Sequence, residues 1–273
     1  MTSAPLRRGL LALCAALLVT SCDLPRGGTS RTVSLASGFR AAPAVPAMTG
    51  RFRVAYRPVA DPVFARWQND FREARFLDDV AAWLNGWIAL PHDVVLGFES
   101  CGQPNAFYYA ERRTVALCYE LVDDLDRALG GDEGDEQAVS DALLFATLHE
   151  VGHALVDVLD VPITGREEDA VDQLAAVMLV DGSGEGSKAA VNGAAGLAID
   201  EDENDPLAYA DQHALGSQRF YNVLCLVYGH DPAGFAGWVD DGTLPATRAQ
   251  GCAAEYANVA RSWDRLLEPY LRD

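Results

Sequence analysis

Along this chain the hydrophobic pattern changes period several times, and each change marks an element. Residues 51–58 (RFRVAYRP) alternate basic or polar with apolar and aromatic side chains, the period of a strand. Asp61 then stands where a helix N-cap would, with Pro62 at the first helical position, and helical spacing continues to about Ile88. Trp67, Trp83 and Trp87 on that run are expected core anchors. Residues 92–101 (HDVVLGFESC) predict a second strand. Residues 105–121 (NAFYYAERRTVALCYEL) predict a hairpin, with arms at 105–109 and 114–119 and a turn near 110–112. A short helix over 120–129 and an acidic loop over 130–136 follow.

The longest apolar-periodic run, residues 140–160 (SDALLFATLHEVGHALVDVLD), predicts a helix capped by Asp135 or Ser140. A second helix is expected over 166–179 (REEDAVDQLAAVML). Residues 181–205 are small, glycine-rich and acidic, and read as a surface excursion with at most one weak helix, a solvated insertion rather than a lid. Helical spacing returns over 211–228, near 234–238, and over 247–270. No internal repeat is visible. A strand-bearing part at 51–160 followed by a helical part at 161–273 makes an α+β fold, with a small N-terminal sheet, an edge hairpin and a mostly helical C-terminal part.

Residues 1–21 add a targeting signal: Arg7 and Arg8 precede an apolar run too short to span a membrane comfortably. It ends in Val19-Thr20-Ser21-Cys22, which resembles the lipobox of bacterial lipoproteins and implies lipidation at Cys22. An ordinary secreted protein cut nearby is the alternative. Asp23 resembles the inner-membrane retention signal of enterobacterial lipoproteins, favouring the periplasmic side of the inner membrane over the outer membrane. Residues 22–50, rich in Pro, Gly, Ser and Ala, read as a flexible tether. The membrane is then met through the lipid anchor only.

Export changes the meaning of the cysteines. Cys101, Cys118, Cys225 and Cys252 read as two disulfides; four cysteines allow three pairings, and the local one, Cys101 with Cys118 and Cys225 with Cys252, is the simplest. Forty acidic against twenty-one basic residues give a formal charge of -19, which argues against a nucleic-acid partner. Oligomeric state leaves no mark on the sequence.

The chemistry lies in His149-Glu150-Val151-Gly152-His153. On a helix the two histidines share one face and can direct ring nitrogens at one metal ion. Two neutral imidazoles and a carboxylate suit one Zn²⁺ per chain with a fourth position open to water, and Glu150 stands beside it as general base. Glu167, Glu168 and Asp169 all offer the third ligand, Glu168 being favoured because Asp172 lies one turn on, placed to brace a ligand histidine. Acidic residues in a first turn also complement the helix dipole without binding anything.

These words carry a resemblance. HEVGH followed by EDAVD resembles the gluzincin metallopeptidases, the thermolysin-like clan. That implies a zincin-like fold, with His149, His153 and Glu168 on zinc, Glu150 as base and Asp172 supporting a histidine. Asn105-Ala106-Phe107-Tyr108 resembles the clan's substrate-binding edge strand, which implies that Asn105 and Ala106 hold an extended peptide. His213, with Asp211 as partner, matches the late histidine that stabilises the oxyanion; Arg219 and Tyr221 are the other candidates. His92 and His230 read as structural. NAFY, CYEL, HEVGHALVDVLD, GREEDAVDQLA and QRFYN together are similar to a bacterial metallopeptidase family without an assigned substrate. The expectation is a lipid-anchored zinc peptidase acting on proteins or peptides of the cell envelope. The alternative is a catalytically inactive zinc-binding lipoprotein that binds a partner peptide or protein.

Overall fold

The computed structural model describes residues 47–130, 136–180, 185–199 and 209–272. The signal, Cys22, nearly all of the tether, Asp135 and most of the acidic loop lie outside the described residues.

Four short strands form the sheet: β1 (Phe52–Tyr56), β2 (Val94–Glu99), β3 (Ala106–Tyr109) and β4 (Thr114–Cys118). Their order is β1-β2-β4-β3. β1 and β4 each run parallel to β2, whereas β3 pairs antiparallel with β4 and takes one edge. The hairpin turns through one 3₁₀ turn, Ala110–Arg112, and Arg113 in the left-handed region. Cys101–Cys118 is a disulfide. Beside it the Glu120 carboxylate accepts hydrogen bonds from the Cys101 and Gly102 amides and the Ser100 hydroxyl, at 3.1, 2.8 and 2.7 Å. These contacts fix the loop that delivers the chain into β3.

The run from Pro62 is two helices rather than one: α1 (Pro62–Glu73), capped by Asp61, and α2 (Phe76–Trp87). The break sits at Arg75, whose φ of 57° is left-handed. It lets Phe71 and Phe76 both turn onto Phe98 of β2, with ring centroids 5.0 and 6.5 Å away, which an unbroken helix would hold to its own spacing. Trp83 is a second correction. It is 45% exposed and stacks on Trp87 at the surface instead of entering the core.

α3 (Tyr119–Leu125) ends in a π-turn, and α4 (Glu136–Leu159) follows. Ser140 lies inside α4 and is no cap. By length and composition α4 is apolar enough to cross a membrane, yet most of it is buried inside the protein between the sheet and the helices α5 (Glu167–Leu179) and α6 (Glu185–Leu197). An apolar helix buried along most of its length belongs to a core rather than to a span.

α6 overturns the expectation of a solvated excursion. Ala189, Ala190, Gly193 and Ala194 are buried, and a Cβ on Gly193 would lie 2.3 Å from the Phe145 side chain of α4. Small residues let the two backbones close up; their weak hydrophobicity is why the sequence pattern looked featureless. The last three helices are α7 (Gly216–His230), α8 (Gly237–Asp240) and α9 (Ala246–Leu267). α7 and α9 pack together and share the disulfide Cys225–Cys252. α7 begins at Gly216, so Asp211 and His213 lie in the loop before it.

Candidate active site

His149, Glu150 and His153 stand on adjacent turns of α4, facing the N-terminal turn of α5. The helices meet closely at Gly152, where a Cβ would lie 2.8 Å from the Val171 side chain. That approach brings Glu168 to the histidines. Its Oε2 lies 3.2 Å from Nε2 of His149 and 3.3 Å from Nε2 of His153. His213, arriving from the loop before α7, places its own Nε2 at 2.9 Å from the same oxygen. Three imidazoles from two separate parts of the chain converge on one carboxylate oxygen.

Each histidine is held from behind by a second carboxylate. Nδ1 of His149 lies 2.8 Å from Asp172, Nδ1 of His153 lies 2.7 Å from Glu167, and Nδ1 of His213 lies 3.0 Å from Asp211. Glu167 therefore stands behind a histidine rather than among the converging atoms, while Asp169 turns away to Arg166 at 3.2 Å. Arg219 completes the frame. Its guanidinium donates to both oxygens of Asp172, at 2.7 and 2.8 Å, so it steadies His149 through Asp172. The sequence marked Arg219 as an oxyanion candidate and missed this link, because nothing local joins α7 to α5. Tyr221 stands outside the cleft, in a polar depression with Arg166 and Asp169.

Burial opposes the charge of Glu168, but hydrogen bonds from His149, His153 and His213 outweigh it and hold its carboxyl far below the usual range. Burial likewise opposes charging His149, yet the hydrogen bonds to Asp172 and Glu168 win and push it up to about 9. Asp172, buried but paired with Arg219 and His149, is lowered to about 2. The contact with Glu168 raises His213. Glu150 goes the other way: burial raises its carboxyl, and the opposing charges of His149 and His153 do not outweigh it. The cluster carries more carboxylate than its one guanidinium neutralises, so it favours positive charge at its centre, whether protons or a metal ion.

A cleft of about 560 Å³ runs between this cluster and β3, lined by Asn105 to Tyr108, Glu150, Val156 and Gln212 among others. In the β3–β4 ladder Asn105 accepts from the Cys118 amide, so Ala106 and Tyr108 direct their main-chain groups away from β4. The Ala106 amide is already taken by Oδ1 of Asn105 at 2.9 Å. What remains on that edge is the Ala106 carbonyl, both main-chain groups of Tyr108, and the side-chain NH₂ of Asn105. Behind Glu150 a recess of about 240 Å³ opens between Leu125, Phe145 and Ala146 on one side and Gly196, Leu197 and Ile199 on the other. One wall of it belongs to α6. No local pattern in the chain signals this recess.

The model of a family described as “Putative metallopeptidase” matches residues 56–267. No curated protein and no solved structure matches the chain.

Proposed function

The chain belongs to this “putative metallopeptidase” family, and on that premise we propose that it is a zinc-dependent peptidase that hydrolyses peptide bonds of proteins or peptides in the cell envelope. The observation that carries the reading is the convergence of His149, His153 and Glu168 in the floor of a cleft that has a free strand edge for its wall. The donor set suits zinc. Two donors at 2.0–2.1 Å from a common tetrahedral ion stand about 3.3 Å apart, and the His149–Glu168 and His153–Glu168 separations are 3.2 and 3.3 Å. His149 and His153 would hold the ion with Glu168, each imidazole oriented through its Nδ1 by a carboxylate. Zinc, when bound, supplies a Lewis acid that polarises the scissile carbonyl and lowers the pKa of a water towards about 7.

The chain's own groups do the rest. A peptide laid along β3 pairs with the Ala106 carbonyl and the Tyr108 main chain, which holds it extended with its reacting carbonyl over the cluster. Glu150 takes a proton from the attacking water as the new C–O bond forms. It then passes that proton to the departing nitrogen as the C–N bond breaks. Burial in the cleft, by raising the Glu150 carboxyl, makes it a better proton shuttle than an exposed glutamate. His213, oriented by Asp211, stands where it can donate Nε2–H to the oxyanion. The recess behind Glu150 receives an apolar side chain of the substrate.

The signal sequence and Cys22 support placement in the bacterial envelope by a lipid anchor, with Asp23 favouring the inner membrane. The inactive-lipoprotein alternative has no use for Glu150. A carboxylate 8% exposed costs stability, and that reading gives no return for the cost. Purified protein should hold about one zinc per chain and cleave an unstructured polypeptide, and a chelator should stop it. Glu150→Gln should keep its zinc and lose about 10²–10⁴-fold in kcat. Full activity in Glu150→Gln would sink the mechanism.

A further inference from the structure

This inference rests on the zinc reading above and concerns which residues hold the ion. His213 has the same construction as His149 and His153. In all three, Nδ1 lies 2.7–3.0 Å from a carboxylate oxygen and Nε2 lies 2.9–3.3 Å from Oε2 of Glu168. An ionised carboxylate can only accept, so each Nδ1 carries the proton. Without a metal each Nε2 faces the ionised Glu168 oxygen and donates to it as well; an ion at the shared centre would take the place of those protons and leave Nδ1–H on the outer carboxylate. That is the tautomer of a metal-bound imidazole. The ligand-type atoms of His149, Glu168 and His213 all lie within 4.8 Å of one another, whereas His153 joins that set through its 3.3 Å approach to Glu168, so the group that gathers around the carboxylate is not confined to the two-helix motif.

His213 differs from the other two in how it is mounted. Its backbone amide and its Nδ1 both bond to Oδ1 of Asp211, at 2.8 and 3.0 Å, so ring, loop and aspartate form one small unit outside any helix. Its side chain is 42% exposed against 7% for His149. It is the outermost of the three and borders both the cleft and the recess behind Glu150. A ligand so placed can leave without disturbing α4 or α5.

We propose that His213 is a fourth protein ligand in the resting protein, closing the coordination sphere formed by His149, His153 and Glu168, and that an incoming peptide displaces it. Displacement would exchange one nitrogen donor for one oxygen donor with no change of oxidation state. The site is latent until a chain long enough to reach it lies along β3. Once displaced, the exposed imidazole would take up a proton from solvent on Nε2 while Nδ1–H stays on Asp211, and in that form it could donate to the reacting carbonyl. One residue thereby has two positions, ligand at rest and donor in the reaction.

The test is zinc X-ray absorption on the metal-loaded protein without substrate, together with zinc affinity by competition with a chromogenic chelator. The expected result is three imidazoles per zinc in the wild type and two in His213→Ala, with zinc bound at least about tenfold more weakly. Asp211→Asn, which keeps the loop's shape, should shift affinity in the same direction by less, and circular dichroism checks that both variants fold. Two imidazoles in the wild type, with affinity unchanged in His213→Ala, would overturn the proposal and leave His213 as a wall donor. A wild-type protein that binds no zinc, or one whose zinc survives His149→Ala, overturns the zinc reading itself.

Discussion

Arg219 shows how much one side chain can decide. It is buried, it meets Asp172 through two parallel hydrogen bonds, and Asp172 in turn holds Nδ1 of His149. Replacing it with methionine keeps the apolar bulk but leaves Asp172 buried beside nothing cationic except the histidine. The expected cost is about 3–5 kcal/mol in a denaturant titration, with zinc held about 10–100-fold more weakly. A variant as stable as the parent would show that the pair is dispensable. Glu120 acts at the same scale, away from the metal cluster. Partial burial opposes its charge, but the amides of Cys101 and Gly102 and the Ser100 hydroxyl prevail and lower its carboxyl. A depressed folded-state pKa adds stability above the unfolded value of about 4.3, and that stability is lost as pH falls through the folded-state value. Thermal melts should show Glu120→Gln differing most from the parent at neutral pH, with the difference shrinking in acid.

Among the elements, α6 is the one that changes the picture. Its sequence, EGSKAAVNGAAGL, has only Val191 and Leu197 as larger apolar residues, yet it packs on α4 and walls the recess behind Glu150. Gly193 permits this contact because any side chain there would enter Phe145. Gly193→Ala should therefore destabilise by about 1–3 kcal/mol, read from chemical denaturation. Because Phe145 also lines the recess, the same change should alter which substrate side chains are accepted. An unchanged melting curve and cleavage pattern would mean that α6 sits off α4 in solution. The α1–α2 break teaches the complementary lesson. Helical periodicity ran unbroken through Arg75, since the aromatic residues on either side kept an apolar spacing while the backbone between them turned.

For the whole molecule, the alternation of β1, the hairpin of β3 and β4, the motif helix and the disulfide pairings were legible in the chain, because each is a local pattern or a near-neighbour closure. The order of the strands was not. β2 lies between β1 and β4 because two parallel connections and one hairpin fit the sheet that way, and no run of residues encodes that. The candidate site divides along the same line. His149, Glu150 and His153 could be read from i, i+4 spacing on one helix face, and the acidic cluster at 167–169 from its position at a helix start. Which of those carboxylates turns inward depended on the contact of Gly152 with Val171. That His213 reaches the same oxygen, and that Arg219 braces Asp172, depended on where α7 docks. Sequence alone determined the chemistry available, since residue types and short-range periods are intrinsic to the chain. Only the tertiary structure decided which distant groups share it, since that follows from how whole elements pack.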